Sequence, residues 1–350
     1  MRTVAFAYDP IHLEHDPGQH PENPARLEAV MARLRANGVL TRVAPLAPRA
    51  ATEIELALAH RPEHIEYIRA LDAAGGGWAD DGFAPAPETI VLQGSYEAAA
   101  HAAGAVLAGV AAVLNGDVPA AYCLVRPPGH HATADRAMGF CLFNNVAVAA
   151  RYAQRRSGVE RIAIVDIDVH HGNGTQDIFW DDPSVLYLSL HEYPFYPGSG
   201  HWRERGGEGA IGATVNIPLP VGSGYAEYER AFDTLVLPLL RRFRPETLIV
   251  SAGYDAHLND PLADMALSTE GYRALFLRLR RFVDEVCDGR IVVALEGGYH
   301  PEALAASVEA SLEVLLSDDP PAPAPAPPAH TRVEQYLRDL RRLNGVGNRR

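Results

Sequence analysis

Arg161-Ile-Ala-Ile-Val-Asp-Ile-Asp-Val-His-His-Gly-Asn-Gly174 is an apolar, β-branched run that discharges directly into two carboxylates and two imidazoles. A run of this kind predicts a buried strand, Ile162 to Asp168, that delivers polar side chains at its carboxyl end. Alternation along a strand sends residues i and i+2 to the same side, so Asp168 and His170 converge on one point while Asp166 is held one register deeper. A polar strand end followed by a Gly-rich turn would carry the same letters. Four further strand-like runs ending in similar residues weigh against that plainer reading.

Working outward, strand-like runs alternate with helical ones from the start of the chain to about residue 316. Strands are predicted at Val4 to Tyr8, Ala120 to Val125, Ile162 to Asp168, Val185 to Leu190, Leu248 to Ser251 and Ile291 to Leu295. Helices are predicted at Pro24 to Asn37, Ser95 to Leu114, Asn144 to Arg156, Tyr225 to Phe243 and Thr269 to Val286, the last with Ser268 or Thr269 as its cap. This alternation is the signature of an α/β fold: a single open, mostly parallel β-sheet flanked by helices, with ligands bound beyond the carboxyl ends of the strands.

Composition bounds the rest. The 350 residues are 47% hydrophobic and 21% charged, enough for one large core. A net charge of −13 and a pI near 5.6 oppose wrapping of a phosphate backbone, so no nucleic-acid partner is expected and a cationic substrate suits the field better. Cys123, Cys141 and Cys287 are odd in number and lie mostly among apolar residues, which predicts reduced thiols in the cytoplasm. No signal peptide is read at the N-terminus and no apolar run reaches the roughly 20 residues of a membrane span.

The composition changes at Ser317-Asp-Asp-Pro-Pro-Ala-Pro-Ala-Pro-Ala-Pro-Pro-Ala-His330. The expected organisation is a catalytic domain at 1–316, a semi-rigid Pro/Ala linker at 317–330 and a short basic amphipathic tail at 331–350. Val333, Tyr336, Leu337, Leu340 and Leu343 share one face of that tail, which could dock on its own domain, mediate homo-oligomerisation, or fray.

The residues after the other strands repeat one theme: Arg126-Pro-Pro-Gly-His-His-Ala132, His191-Glu-Tyr-Pro-Phe-Tyr-Pro-Gly198, Ala252-Gly-Tyr-Asp-Ala256 and Glu296-Gly-Gly-Tyr299. Asp168, His170 and Asp255 offer two carboxylates and one imidazole, three ligands that leave a position open on a cation such as zinc. Such a cation would acidify a bound water and polarise a carbonyl, both needed to hydrolyse an amide. His130 and His131 are candidates for base and acid, and Tyr299, freed by the preceding glycines, for the oxyanion donor. No Ser or Cys nucleophile beside a base is evident.

These residues resemble the zinc-dependent histone deacetylase and acetylpolyamine amidohydrolase family, related in fold to arginase, over residues 1 to about 315. The motifs are Arg126-Pro-Pro-Gly-His-His-Ala132, Gly139-Phe-Cys-Leu-Phe-Asn-Asn145, Asp166-Ile-Asp-Val-His-His-Gly-Asn-Gly-Thr-Gln176, Pro197-Gly-Ser-Gly200, Ser251-Ala-Gly-Tyr-Asp255 and Leu295-Glu-Gly-Gly-Tyr299. Their form is similar to the class II branch and to its bacterial-type members. The resemblance implies Zn2+ at Asp168, His170 and Asp255, with Fe2+ tolerated by the oxygen-rich set. It places Asp166 behind His130 and Asn173 behind His131, so that His130 stays protonated while His131 acts as base. It implies an acyl-lysine tunnel walled by Gly139, Phe140 and Tyr196, with Leu262 at a position that is Glu in polyamine-selective relatives. It also implies K+ or Na+ near Asp166, Asp168, His170, Ser189 and Leu190, and a second such ion near Phe179, Asp182 and Val185. The expected function is deacetylation of a lysine-like amine by attack of metal-bound water. Hydrolysis of acetylpolyamines or other small amides is the alternative, and a catalytically silent acyl-lysine binding module is the non-enzymatic one.

Overall fold

The computed structural model describes residues 2–80, 87–155 and 159–346. Its strands are β1 (Val4–Ala7), β2 (Ala44–Leu46), β3 (Gly76–Trp78), β4 (Ile90–Leu92), β5 (Ala120–Cys123), β6 (Ile162–Asp166), β7 (Val185–Glu192), β8 (Thr214–Leu219), β9 (Thr247–Ala252) and β10 (Ile291–Leu295). Eight form one sheet in the order β2-β1-β5-β10-β9-β6-β7-β8. Every neighbouring pair in it is parallel. β3 and β4 make a separate antiparallel ribbon.

Both faces of the sheet are covered. Val4 and Phe6 enter one apolar layer while Ala5 and Ala7 enter the other, and Ala163 and Val165 alternate with Ile162 and Ile164 in the same way. Strands buried on two faces need no polar alternation, which is why they read as continuous apolar runs. Helices Ala25–Ala36, Thr269–Val286 and Pro301–Leu316 cover the first face, and Ser95–Asn115 and Asn145–Arg155 the second. The helix Ser95–Asn115 is long and apolar enough to cross a bilayer, contrary to the expectation from the sequence. Its Ala102, Val106, Val110 and Val113 are instead buried in the second layer.

The predicted helix Thr269–Val286 is found, capped by the Ser268 hydroxyl, which accepts from Gly271 N–H at 3.1 Å. The one predicted at Tyr225 to Phe243 is interrupted: Tyr225–Ala231 passes through a π turn, Phe232–Val236, before Leu237–Phe243. Pro238, just beyond the π turn, has no N–H to return to Thr234, so the regular ladder cannot run through. For the helix predicted to end at Arg156, that last residue lies outside the described residues.

One correction bears on the site. β6 stops at Asp166, not Asp168. Beyond it, Asp168 N–H donates to Asp166 Oδ1 at 3.2 Å and His170 N–H to Asp168 Oδ1 at 2.9 Å. These side-chain-to-backbone bonds replace the ladder with successive Asx turns. The convergence of Asp168 and His170 therefore comes from turn chemistry, not from strand pleating.

The C-terminal segment folds back on the domain. Ala326 N–H and His330 N–H donate to Glu229 and Glu227, each at 3.0 Å, and the helix Thr331–Leu343 buries Val333, Leu337 and Leu340 in the first layer. Docking on its own domain is thus the arrangement present. Residues 347–350 of the predicted tail lie outside the described residues.

Candidate metal centre and active site

The five motif-bearing strands, β5, β10, β9, β6 and β7, are consecutive neighbours in the sheet. Their carboxyl ends therefore open onto one place. There His170 Nδ1 lies 3.1 Å from Asp168 Oδ1 and 3.2 Å from Asp255 Oδ2. Asp168 and Asp255 are fully buried. Backbone donors fix both: Gly297 N–H reaches Asp168 Oδ2 and Val169 N–H reaches Asp255 Oδ1, each at 2.8 Å. A Cβ on Gly297 would stand 2.1 Å from Asp255 Oδ2, and one on Gly253 would stand 2.0 Å from Asp168 Oδ2. Only glycine lets the backbone come this close.

Burial, then the charge of Asp168, pushes the Asp255 carboxyl up to about 7. Burial alone would lower His170, but its hydrogen bonds to the two carboxylates outweigh it and raise it to about 10. Two buried carboxylates sharing one point with an imidazole are a donor set that a divalent cation would satisfy. Among the described residues this is the one trio of such side chains close enough to do so.

His130 and His131 stand beside it, ring centroids 4.0 Å apart. His130 Nδ1 lies 3.1 Å from Asp166 Oδ2, and the Tyr187 hydroxyl donates to the same oxygen at 2.9 Å. Burial opposes charging His130, yet Asp168 and Asp166 outweigh it and raise its pKa to about 10. His131 Nδ1 lies 2.8 Å from Asn173 Oδ1. The Asn173 amide N–H groups point to His131 O and Met138 Sδ, which leaves Oδ1 as the acceptor and places the proton on His131 Nδ1. Burial, then the charges of His130 and His170, hold His131 well below the usual imidazole range. The expected partners of both histidines are where the family resemblance puts them.

A cleft of about 220 Å³ leads to His131 and His170, lined also by Glu88, Gly139, Phe140, Phe195, Tyr196, Leu262 and Tyr299. All four expected tunnel residues are present in its wall. Phe140 adopts a left-handed φ of 67°, a conformation a bulky side chain rarely takes, directly after Gly139, where a Cβ would meet the His131 ring at 2.2 Å. Tyr299 N–H is tied to Asp260 Oδ2 at 2.6 Å, and the Arg26 guanidinium lies 4.9 Å from its ring centroid. Burial keeps the Tyr299 hydroxyl well above the ordinary phenol range.

Sequence reasoning overlooked several contributors. Glu296 Oε2 accepts from Gly129 and His130 N–H at 2.6 and 3.1 Å, locking the histidine loop to β10. Phe195 stacks on His170 with centroids 5.4 Å apart. Both flank residues already singled out, so their signal was proximity. Glu88 lies in a Pro-rich stretch whose pattern gives no warning of it. Buried Glu22 pairs with Arg126 at 2.6 Å and with Arg26 of the helix Ala25–Ala36 at 3.0 Å, tying the loop after β5 to the start of that helix.

The expected monovalent-cation residues fall at two places. Asp166 and Ser189 are register partners on β6 and β7, and the Ser189 hydroxyl is engaged with His191 Nδ1 at 2.9 Å. Phe179, Asp182 and Val185 form a hydrogen-bonded turn: Phe179 O accepts from Asp182 N–H, Asp182 O from Val185 N–H, and the Asp182 carboxylate pairs with Arg151.

A histone deacetylase domain profile matches residues 20–315. The chain belongs to the histone deacetylase family. It is 40% identical over 321 residues to histone deacetylase 14, chloroplastic, of Arabidopsis thaliana, covering 88% of this chain and 75% of that one. It is 41% identical to the human polyamine deacetylase HDAC10 over 92% of this chain, which spans about half (49%) of that relative. With the histone deacetylase-like amidohydrolase of Pseudomonas aeruginosa it shares 38% identity, over 85% and 82% of the two chains. The crystal structure of the HDA15 HD domain superposes with a TM-score of 0.88 at 36% identity, covering 98% of this chain and 95% of that one. Membership of this histone deacetylase family makes the chain a hydrolase of the deacetylase or amidohydrolase type.

Proposed function

We propose that this deacetylase-family chain removes acetyl or related acyl groups from a lysine-like amine, using a divalent cation, zinc in the first place, held by Asp168, His170 and Asp255. The convergence of those three side chains at the floor of the cleft carries the reading. A cation there would supply Lewis-acid polarisation of the acyl carbonyl and an acidified water. His131, its Nδ1 proton held by Asn173, would take a proton from the attacking water at Nε2 as general base and then pass it from Nε2 to the departing amine. His130, kept charged by Asp166, stabilises negative charge. Tyr299, which retains its proton, donates to the oxyanion. Gly139, Phe140, Phe195 and Tyr196 would enclose the acyl-lysine stem. The oxygen-rich ligand set also accommodates ferrous iron. Free, buried cysteines support a reducing, cytoplasmic setting.

Leu262 lies in the cleft wall, where it cannot attract a second ammonium, and this favours acyl-lysine over acetylpolyamine. Glu88 supports the second reading. Its carboxylate shares the cleft, hydrogen-bonds the Tyr196 hydroxyl and keeps one buried oxygen without a partner. The deciding test is kcat/KM on metal-replete protein for acetyl-lysine peptides, acetylputrescine, acetylspermidine and longer acyl-lysines. The acyl-lysine reading predicts that the peptides lead, and that Leu262→Glu shifts the ratio several-fold toward acetylspermidine, since a partly exposed charge pair is worth about 1 kcal/mol. A wild-type preference for acetylspermidine would overturn it.

A further inference from the structure

A second and larger hollow, about 690 Å³, lies outside the catalytic cleft between the loop Tyr193 to Trp202, the turn Pro218 to Ser223 and the C-terminal helix. Its walls include Tyr193, Trp202, Val221, Val333 and Tyr336, and Val221 is 65% exposed. It adjoins the cleft by two independent links. Tyr193 is three residues before Tyr196 of the cleft, a distance of at most about 11 Å along the chain. Gly222 N–H donates to Asp264 O at 2.8 Å, two residues from Leu262 of the cleft. The hollow and the cleft are therefore neighbours, and the loop Tyr193 to Tyr196 is the rim they share.

We propose that this hollow is a substrate subsite that takes an apolar or aromatic side chain of a polypeptide, two to four residues from the acyl-lysine. The inference rests on the acyl-lysine reading above. An extended chain advances about 3.3 Å per residue, so a side chain at that remove spans the rim. Polar His201, Ser223 and His330 also line it, but Tyr193, Trp202, Val221, Val333 and Tyr336 offer an aromatic and aliphatic surface suited to such a side chain. The acidic group in the wall, Glu227, already accepts from Gly224 and His330 N–H at 3.0 Å each, and exposed Arg332 shares the wall, which disfavours a basic one. A free polyamine has no side chain to place there. On this account the docked C-terminal helix completes a substrate-binding surface as well as the core.

The test compares kcat/KM for three substrates: an acetyl-lysine peptide with Phe three residues away, the same peptide with Ala there, and acetyl-lysine amide without flanking residues. The Phe peptide is tried with Phe on either side of the lysine. Wild type should favour one Phe peptide over its Ala counterpart by about tenfold, the scale of filling an apolar pocket. Trp202→Ala and Val221→Glu should each bring that ratio close to one while the amide turns over as before, which also reports an intact fold. Equal turnover of the Phe and Ala peptides by wild type overturns the subsite alone. An equal loss on the amide in both variants also overturns it, since the effect would then lie in the cleft. Cleavage of acetylpolyamines with none of the lysine substrates overturns the acyl-lysine reading and the subsite with it.

Discussion

The carboxyl edge of the sheet and the C-terminal extension treat charge in opposite ways. At the edge, Asp166, Asp168, Asp255 and Glu296 are fully buried among histidines, and burial pushes Asp255 and Glu296 up to about 7. In the extension the charges sit outside. Arg230 pairs with Glu334 at 2.7 Å with the arginine 40% exposed, while Val333, Leu337 and Leu340 go inside. Screened pairs of this kind contribute little, and the apolar side chains hold the helix down. Substitutions at the edge should thus alter chemistry, and those at Leu337 and Leu340 stability.

Among substitutions that leave the metal ligands intact, the largest expected effect is at His131. His131→Ala should lower kcat by about 10³-fold, within the usual range for a general base, and His130→Ala by less. Steady-state kinetics with pH profiles of both variants decide it. Equal losses, or the reverse order, would show that Asn173 and Asp166 do not divide the pair as described.

Tyr299→Phe comes next. Losing an oxyanion donor typically lowers kcat by about 10²-fold, with metal content and KM little changed. Unaltered kcat would take Tyr299 out of the reaction.

The extension supplies the contrast. Leu337→Ala should destabilise the protein by about 3 kcal/mol in urea titrations, the usual scale for a buried leucine. Its kcat on acetyl-lysine amide should stay within about twofold of wild type. A large fall in kcat with stability intact would erase the distinction between the two regions.

Much of the edge was legible because each ligand follows an apolar strand, and strands buried on both faces announce themselves. The sheet order was not legible: β9 lies between β10 and β6 through crossovers that no local pattern encodes. β8 also escaped, because Pro218 breaks its pattern. As the outermost strand it tolerates a residue that cannot donate to a ladder. Asp168 and His170 were found through strand periodicity although Asx turns bring them together. Glu88 escaped because its place in the cleft wall depends on tertiary packing. The C-terminal helix was legible as amphipathic, but its docking depended on an apolar surface built from distant parts of the chain.

Metal content tests the central claim most directly. Elemental analysis of protein purified without chelator should find about one divalent ion per chain. Asp255→Ala, with circular dichroism showing the fold retained, should hold almost none and show only trace hydrolysis. Full metal occupancy in that variant, or wild-type turnover after complete removal of metal, would contradict the account.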